Sequence, residues 1–232
     1  MSKPVILLIS CCVDIRTHDA IRKTWGANSS IPYKFFLGSF NPDYGIHNVS
    51  THDDEVVVDA IDDRKSQTFK RRDTIRWAIR EGYTNFFCAE RDAYINTYRL
   101  LHSDFERADY IGWAGGPKFA GNAASGGSGY WLSERAGHIV ANADITPTPN
   151  DPGIGQNEDD WVQKTLRQEG IVLTEDSRYS MGESYDFHEP PVLPTNENIS
   201  CHLSRKTGQY NVAWMFEAYQ QDIGYAPCAP LF

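Results

Sequence analysis

Glu90-Arg91-Asp92 places two carboxylates one residue apart, directly after the apolar run Asn85-Phe86-Phe87-Cys88. In an extended segment residues i and i+2 point the same way, so both acids can face one ligand. Carboxylates joined by an imidazole suit Mg2+ or Mn2+, ions that bridge phosphate oxygens and neutralise charge on a departing diphosphate. A second acidic group, Glu158-Asp159-Asp160, follows Asn157 where a helical pattern begins. There Asn157 is the predicted cap and Asp160 the residue that closes the capping box, which leaves Glu158 and Asp159 for a site. Each feature also has a plainer reading. With 31 acidic residues in the chain, an acid-x-acid triplet recurs by chance and can be a solvated strand end. His202, after Ile199-Ser200-Cys201, reads on its own as an ordinary core histidine.

The elements that must position these groups alternate along the first half of the chain. Val5 to Cys12 is continuously apolar, as in a strand buried on both faces of a parallel sheet. Thr17 to Gly26 predicts a helix with Gly26 as its left-handed stop, and Lys34 to Gly38 and Glu55 to Val58 predict two more buried strands. A helix over Lys65 to Glu81 stops at Gly82, and the strand Asn85 to Cys88 runs into the acidic triplet. Tyr94 to Phe105 then reads as a helix and Tyr110 to Trp113 as a strand. From Ala114 to Gly129 the composition turns to Gly, Ala, Ser and Asn, a loop whose backbone can approach a ligand or simply lie at the surface. Helices are predicted over Ser133 to Ala143, from Asn157 to a stop at Gly170, and around Val212, Met215, Phe216 and Tyr219. This alternation argues for an α/β fold with a mainly parallel sheet covered on both faces, with ligands beyond the carboxyl ends of the strands.

The 232 residues suffice for one α/β domain with a substantial core. A formal net charge of −9 lacks the basic footprint of a nucleic-acid binder, so an anionic ligand needs a local cation or a metal. Val5 to Ile9 is too short to span a bilayer and no other stretch qualifies, so a soluble chain is expected, with no signal peptide or transmembrane segment. The five cysteines, without zinc-type spacing, read as reduced thiols of a cytoplasmic protein.

Several landmarks together resemble one family. Arg16, then Ile21-Arg22-Lys23-Thr24-Trp25-Gly26, and Phe36-Leu37-Gly38 are similar to signatures of the β1,3-galactosyltransferase and fringe family. Asp54 to Asp59 and Asp63 to Lys70 resemble that family's acidic strand end and its Thr-x-Lys helix start. Glu90-Arg91-Asp92 falls where the family carries three aspartates, and Ser125-Gly126-Gly127-Ser128-Gly129-Tyr130-Trp131-Leu132-Ser133 resembles its Gly-Gly-x-Gly-aromatic element. Glu158-Asp159-Asp160-Trp161-Val162 is similar to its Glu-Asp-Val motif, and Ile199 to His202 to an apolar segment that ends in histidine. The landmarks keep the family's order from about residue 5 to residue 205.

The resemblance implies a GT-A-like, Rossmann-related fold in a single domain, 1–232. Residues 1–113 would form its nucleotide-binding half and 114–232 its acceptor and catalytic half. It implies an inverting, metal-dependent transfer of a sugar from a nucleotide-diphosphate donor, most often a UDP-sugar, to an acceptor hydroxyl, with a glycan as the acceptor. On this reading Asp92 and His202 bind Mn2+ or Mg2+, with His188 a rival that reads better as a packed loop or acceptor-site residue. Glu90 faces the ribose or the metal's surroundings, and Arg91 adds a cation beside the diphosphate. Arg22, Asp59, Lys70, Gly126 and Gly127 line the nucleotide sugar, and Asp159 is the general base with Glu158 beside it.

The chain departs from the pattern at Arg91 and Glu90, and at Asp160, where the family has valine. No membrane anchor or paired luminal cysteines accompany the motifs, which points to a viral or bacterial cytoplasmic protein or a trimmed chain. Two alternatives stay open: a degenerate member that binds a glycan or nucleotide without turnover, and a transferase acting on modified DNA or on protein.

Overall fold

The computed structural model describes residues 2–114, 123–145, 157–180, 195, 197–203 and 212–225. Strand β1 (Pro4–Ile9) lies at its centre, between β2 (Tyr33–Asn41) and β5 (Asn85–Glu90), both parallel to it. β4 (Glu55–Ile61) extends the parallel set beside β2, and β3 (Ile46–His47) adds a short antiparallel pairing. Beyond β5 the direction reverses in β8 (Tyr130–Leu132), which is antiparallel to both β5 and β7 (Tyr110–Gly112). β9 (Thr174–Glu175) closes that edge parallel to β7.

Side chains of β1 alternate between two cores. Val5 and Leu7 pack with α2 (Gln67–Arg80), α4 (Glu134–Asn142) and α5 (Glu158–Gln168), through Ile75, Val140 and Leu166 among others. Ile6 and Leu8 face the opposite core, with α1 (Ile15–Lys23), α3 (Thr97–Leu101) and α6 (Val212–Tyr225). A small second sheet joins this face: β10 (Tyr179–Ser180) is parallel to β11 (Ser200–His202), which is antiparallel to β6 (Ala93–Ile95). Apolar burial on both faces explains why β1 is apolar at every position. The expected α/β architecture, a mainly parallel sheet with helices on both faces, is the one observed.

Gly82 (φ +80°) and Gly170 (φ +73°) follow α2 and α5 in left-handed conformations, as the sequence predicts. Three local expectations fail. The predicted helix from Tyr94 to Phe105 begins instead as strand β6, because Tyr94 and Ile95 pair with the distant β11, and only Thr97–Leu101 is helical. Asn96 caps that shorter helix by accepting from the Arg99 N–H at 2.9 Å. Asn157 makes no side-chain cap at the start of α5. Gly26 does not stop α1 in a left-handed turn; the helix ends at Lys23, where the Thr24 hydroxyl donates back to the Ala20 carbonyl at 2.7 Å. Cys11, Cys12 and Cys88 are free thiols, and Cys228 lies outside the described residues. Among the described residues no helix is long and apolar enough to cross a membrane.

Candidate active site

The sheet delivers its acids at a corner. β5 ends in Glu90, the Arg91 N–H donates to the Ile9 carbonyl of β1 at 3.2 Å, and Asp92 leads into β6. Antiparallel register sets His202 opposite Ala93, so its Nε2 lies 3.3 Å from Asp92 Oδ2. One ligand atom from each of Glu90, Asp92 and His202 lies within 4.8 Å of the others. Asp92 is 5% exposed, and its Oδ1 is buried with no hydrogen-bond partner among the described residues. Burial of an unsatisfied carboxylate oxygen is costly, and a coordinated cation removes that cost. Two carboxylates with an imidazole fit Mn2+ well, and Mg2+ through the carboxylates.

The charge states of the two acids diverge. Burial, and then the Asp92 charge, push the Glu90 carboxyl above the usual carboxylate range. Burial opposes ionisation of Asp92 as well, but the His202 imidazole and then Arg91 more than offset it and hold that group low.

Over this corner lies the glycine loop. The Gly126 carbonyl accepts from the Glu90 N–H at 3.1 Å, and the Ser128 carbonyl from the Ser200 hydroxyl at 2.5 Å. A Cβ on Gly127 would sit 2.6 Å from His202 Nδ1, and one on Gly126 would sit 2.5 Å from Glu158 Oε1. Both positions need glycine because the backbone passes between functional side chains, leaving no volume for a methyl group. On the far side of the loop is α5. Asp159 Oδ2 is 3.5 Å from the Gly126 N–H. Its carboxyl is pushed up to about 7 by burial, then by the Glu158 and Glu90 charges. A carboxylic acid held near neutral pH can exchange a proton with a bound hydroxyl.

Glu158 is differently engaged. Arg71, fully buried, holds it with Nε 3.2 Å from Oε2 and Nη2 3.1 Å from Oε1, while the Tyr130 hydroxyl donates to Oε2 at 2.7 Å. The same guanidinium donates to the carbonyls of Leu7 (3.2 Å) and Ala89 (3.3 Å). Both oxygens of Glu158 are therefore taken by the protein, and proton transfer does not fall to it. In the sequence Arg71 reads only as part of a basic run, Lys70 to Arg72, that would suit a DNA acceptor; the structure buries Lys70 and Arg71, and a fully buried arginine announces itself only through its partners.

The other anticipated residues are engaged by partners of their own. Arg22 forms a bidentate pair with Asp54 at 2.9 and 2.6 Å and reaches Glu55 at 2.8 Å, a structural cluster rather than an open anion site. Lys70 is 3% exposed, with Nζ on the Ser10 carbonyl (2.8 Å) and Asp62 Oδ1 (3.0 Å). Asp59 is exposed, and it is Asp62 that turns inward, accepting also from the N–H groups of Gly38 and Cys12, each at 2.9 Å. Cys11, Cys12 and Asp62 also stand close enough to share a cation. Asp62 is already committed to an ammonium, however, and burial raises both thiols, that of Cys12 to about 12. Arg91 is half-buried, with Nε 2.5 Å from Asp14 Oδ2, at the rim of the acidic corner. His188 lies outside the described residues.

No protein-family model matches the chain, and neither does any curated protein. Among solved structures it is similar to a glycosyltransferase involved in the glycosylation of the major capsid of PBCV-1. The identity is 11%, with 94% of this chain and 98% of that one covered and a TM-score of 0.48. It is also similar to the apo form of the glycosyltransferase GlyE of Streptococcus pneumoniae TIGR4. Here the identity is 11% and the TM-score 0.45, and the match covers 97% of this chain but 61% of that one.

Proposed function

We propose that the chain is a metal-dependent, inverting glycosyltransferase that moves a sugar from a nucleotide-diphosphate donor, with UDP-sugars the first class to test, to an acceptor hydroxyl on a glycan. One observation carries the reading: ligand atoms of Glu90, Asp92 and His202 lie within 4.8 Å of one another, Asp92 Oδ1 is buried without a hydrogen-bond partner among the described residues, and Asp159 lies across the glycine loop from them. The order of motifs similar to the β1,3-galactosyltransferase and fringe family supports it independently.

Asp92 and His202, with Glu90 beside them, would hold Mn2+ or Mg2+, and the ion supplies charge neutralisation for the departing nucleoside diphosphate. Arg91 adds a fixed positive charge at the rim, oriented by Asp14. The buried glycines at 126 and 127 let the loop backbone pack directly on Glu158 and His202, between the proposed metal ligands and α5. Asp159 accepts the acceptor's proton as its oxygen attacks the anomeric carbon from the side opposite the diphosphate, which inverts the configuration. The decisive experiment is a thermal-shift panel of nucleotide sugars with and without Mn2+. A matched donor should raise the Tm only with the metal present. If Asp92→Ala leaves that shift and turnover intact, the assignment of the metal is wrong.

The Arg91–Asp14 pair favours one further reading, a protein that binds nucleotide sugar without turning it over, since a guanidinium occupies the middle of the triplet. Mn2+-dependent release of UDP from a UDP-sugar counts against it.

A further inference from the structure

Arg71 lies in the second turn of α2, fully buried, and its guanidinium touches β1, β5 and α5 at once. Nη1 holds the Leu7 carbonyl of β1, Nη2 the Ala89 carbonyl one residue before Glu90, and the Nε–Nη2 edge forks onto Glu158, one residue before Asp159. Glu158 in turn presses on the loop, because its Oε1 fills the space where Gly126 would carry a Cβ. Gly126 itself holds the Glu90 N–H by its carbonyl and faces Asp159 with its own N–H. We infer that Arg71, acting through Glu158, sets the separation between the carboxylates at 90–92 and Asp159, and so is a positioning residue for the proposed transfer. The inference rests on the transferase reading.

The physical grounds are geometric. A planar guanidinium fixes direction as well as charge, which an ammonium on a flexible stem does not. A fully buried ion pair is also weak as a source of stability, since apolar groups of similar volume often serve the fold equally well. What an apolar pair cannot reproduce is simultaneous attachment to two strand carbonyls and one carboxylate. A misplacement of about 1 Å between reacting groups can lower a rate by about 100-fold.

The test compares the wild-type chain with Arg71→Lys, Tyr130→Phe and the double variant Arg71→Met/Glu158→Leu. The readouts are kcat on a UDP-sugar, Kd for UDP in saturating Mn2+, and amide exchange over residues 125–129. Arg71→Lys and the double variant are expected to lose about 10- to 100-fold in kcat. Their Kd for UDP should stay unchanged and exchange in the loop should accelerate; Tyr130→Phe shows the same pattern more weakly. The double variant guards against the case in which Arg71→Lys fails to fold. Wild-type kcat and exchange in a folded double variant overturn the inference, because the pair then only fills the core. A wild-type chain that neither binds Mn2+–UDP nor consumes any nucleotide sugar defeats the transferase reading instead. In that event the exchange comparison still decides whether Arg71 ties the loop, and unchanged exchange overturns the tie.

Discussion

Asp159 and Glu158 are neighbours in sequence with opposite fates, and the difference comes from what surrounds them rather than from their type. Arg71 and Tyr130 both donate to Glu158, whereas Asp159 accepts only from the backbone N–H groups of Gly126 and Asp160 among the described residues, and burial, then the Glu158 and Glu90 charges, push its carboxyl up to about 7. A base must be deprotonated to act, so kcat should rise as pH climbs through about 7. In Asp159→Asn the rate should fall about 100- to 10,000-fold, the pH limb should vanish, and UDP affinity should persist. Stability has the opposite sign. Between the ordinary 3.8 and about 7 the folded chain keeps a proton that the unfolded chain has lost. Stability from this group is thus fully present below 3.8 and fades as pH rises through about 7, which denaturant titration at several pH values will read. Arg22 illustrates the reverse lesson. Its landmark position suggested an anion contact, yet Asp54 and Glu55 claim the guanidinium. Arg22→Ala should therefore cost about 1–3 kcal/mol in stability while leaving donor affinity as it was, as calorimetry and UDP titration together will show.

At the scale of elements, the buried strands β1, β2 and β5 were legible, because two covered faces demand unbroken apolar runs, and β4 was legible by its valines although it packs into only one of the two cores. The pairing of β6 with β11 was not. Ala93-Tyr94-Ile95 is too short to display an alternation, and its partner lies far along the chain. That pairing is what carries His202 to Asp92, so the histidine's proximity to the triplet rested on family resemblance alone. The acidic stretch from Asp59 to Asp63 likewise does not reveal which carboxylate turns inward; the backbone decides for Asp62 after β4 has ended. The glycine loop was legible as a place of close approach, although not what it approached. Gly127→Ala tests that packing: its methyl group would collide with the imidazole, so Mn2+ affinity should drop about tenfold or more, as for other perturbations of a metal ligand's supporting contacts. Tryptophan fluorescence during a Mn2+ titration reads this directly.

For the whole molecule, α6 is the element whose contribution to the site is indirect. Asp222 accepts from the Tyr94 hydroxyl at 2.6 Å and from Asn96 at 2.7 Å, and meets Arg99 at 2.9 Å, fastening the C-terminal helix to β6 and α3. The amphipathic spacing predicted the helix; its anchor, a carboxylate 5% exposed, was hidden among many other acids. Removing it leaves the Tyr94 hydroxyl and the Asn96 amide without this acceptor, while Arg99 keeps the Thr195 and Asn198 carbonyls, so Asp222→Ala should destabilise the fold by about 1–3 kcal/mol. Weaker Mn2+ binding should accompany that loss, because β6 would be less firmly held against β11. A chemical-denaturation series with and without Mn2+ separates the two effects.

The antiparallel register of Ala93 with His202 also bears on synthesis. Asp92 and His202 are 110 positions apart, so a ribosome-bound chain can complete its parallel strands well before the imidazole has emerged. On the proposed reading the nascent protein would until then have only half a chelate, and an ion would gain its second anchor after a long loop has closed. Manganese capture would in that sense report that synthesis has passed His202, and a fragment released before that point would be passed over.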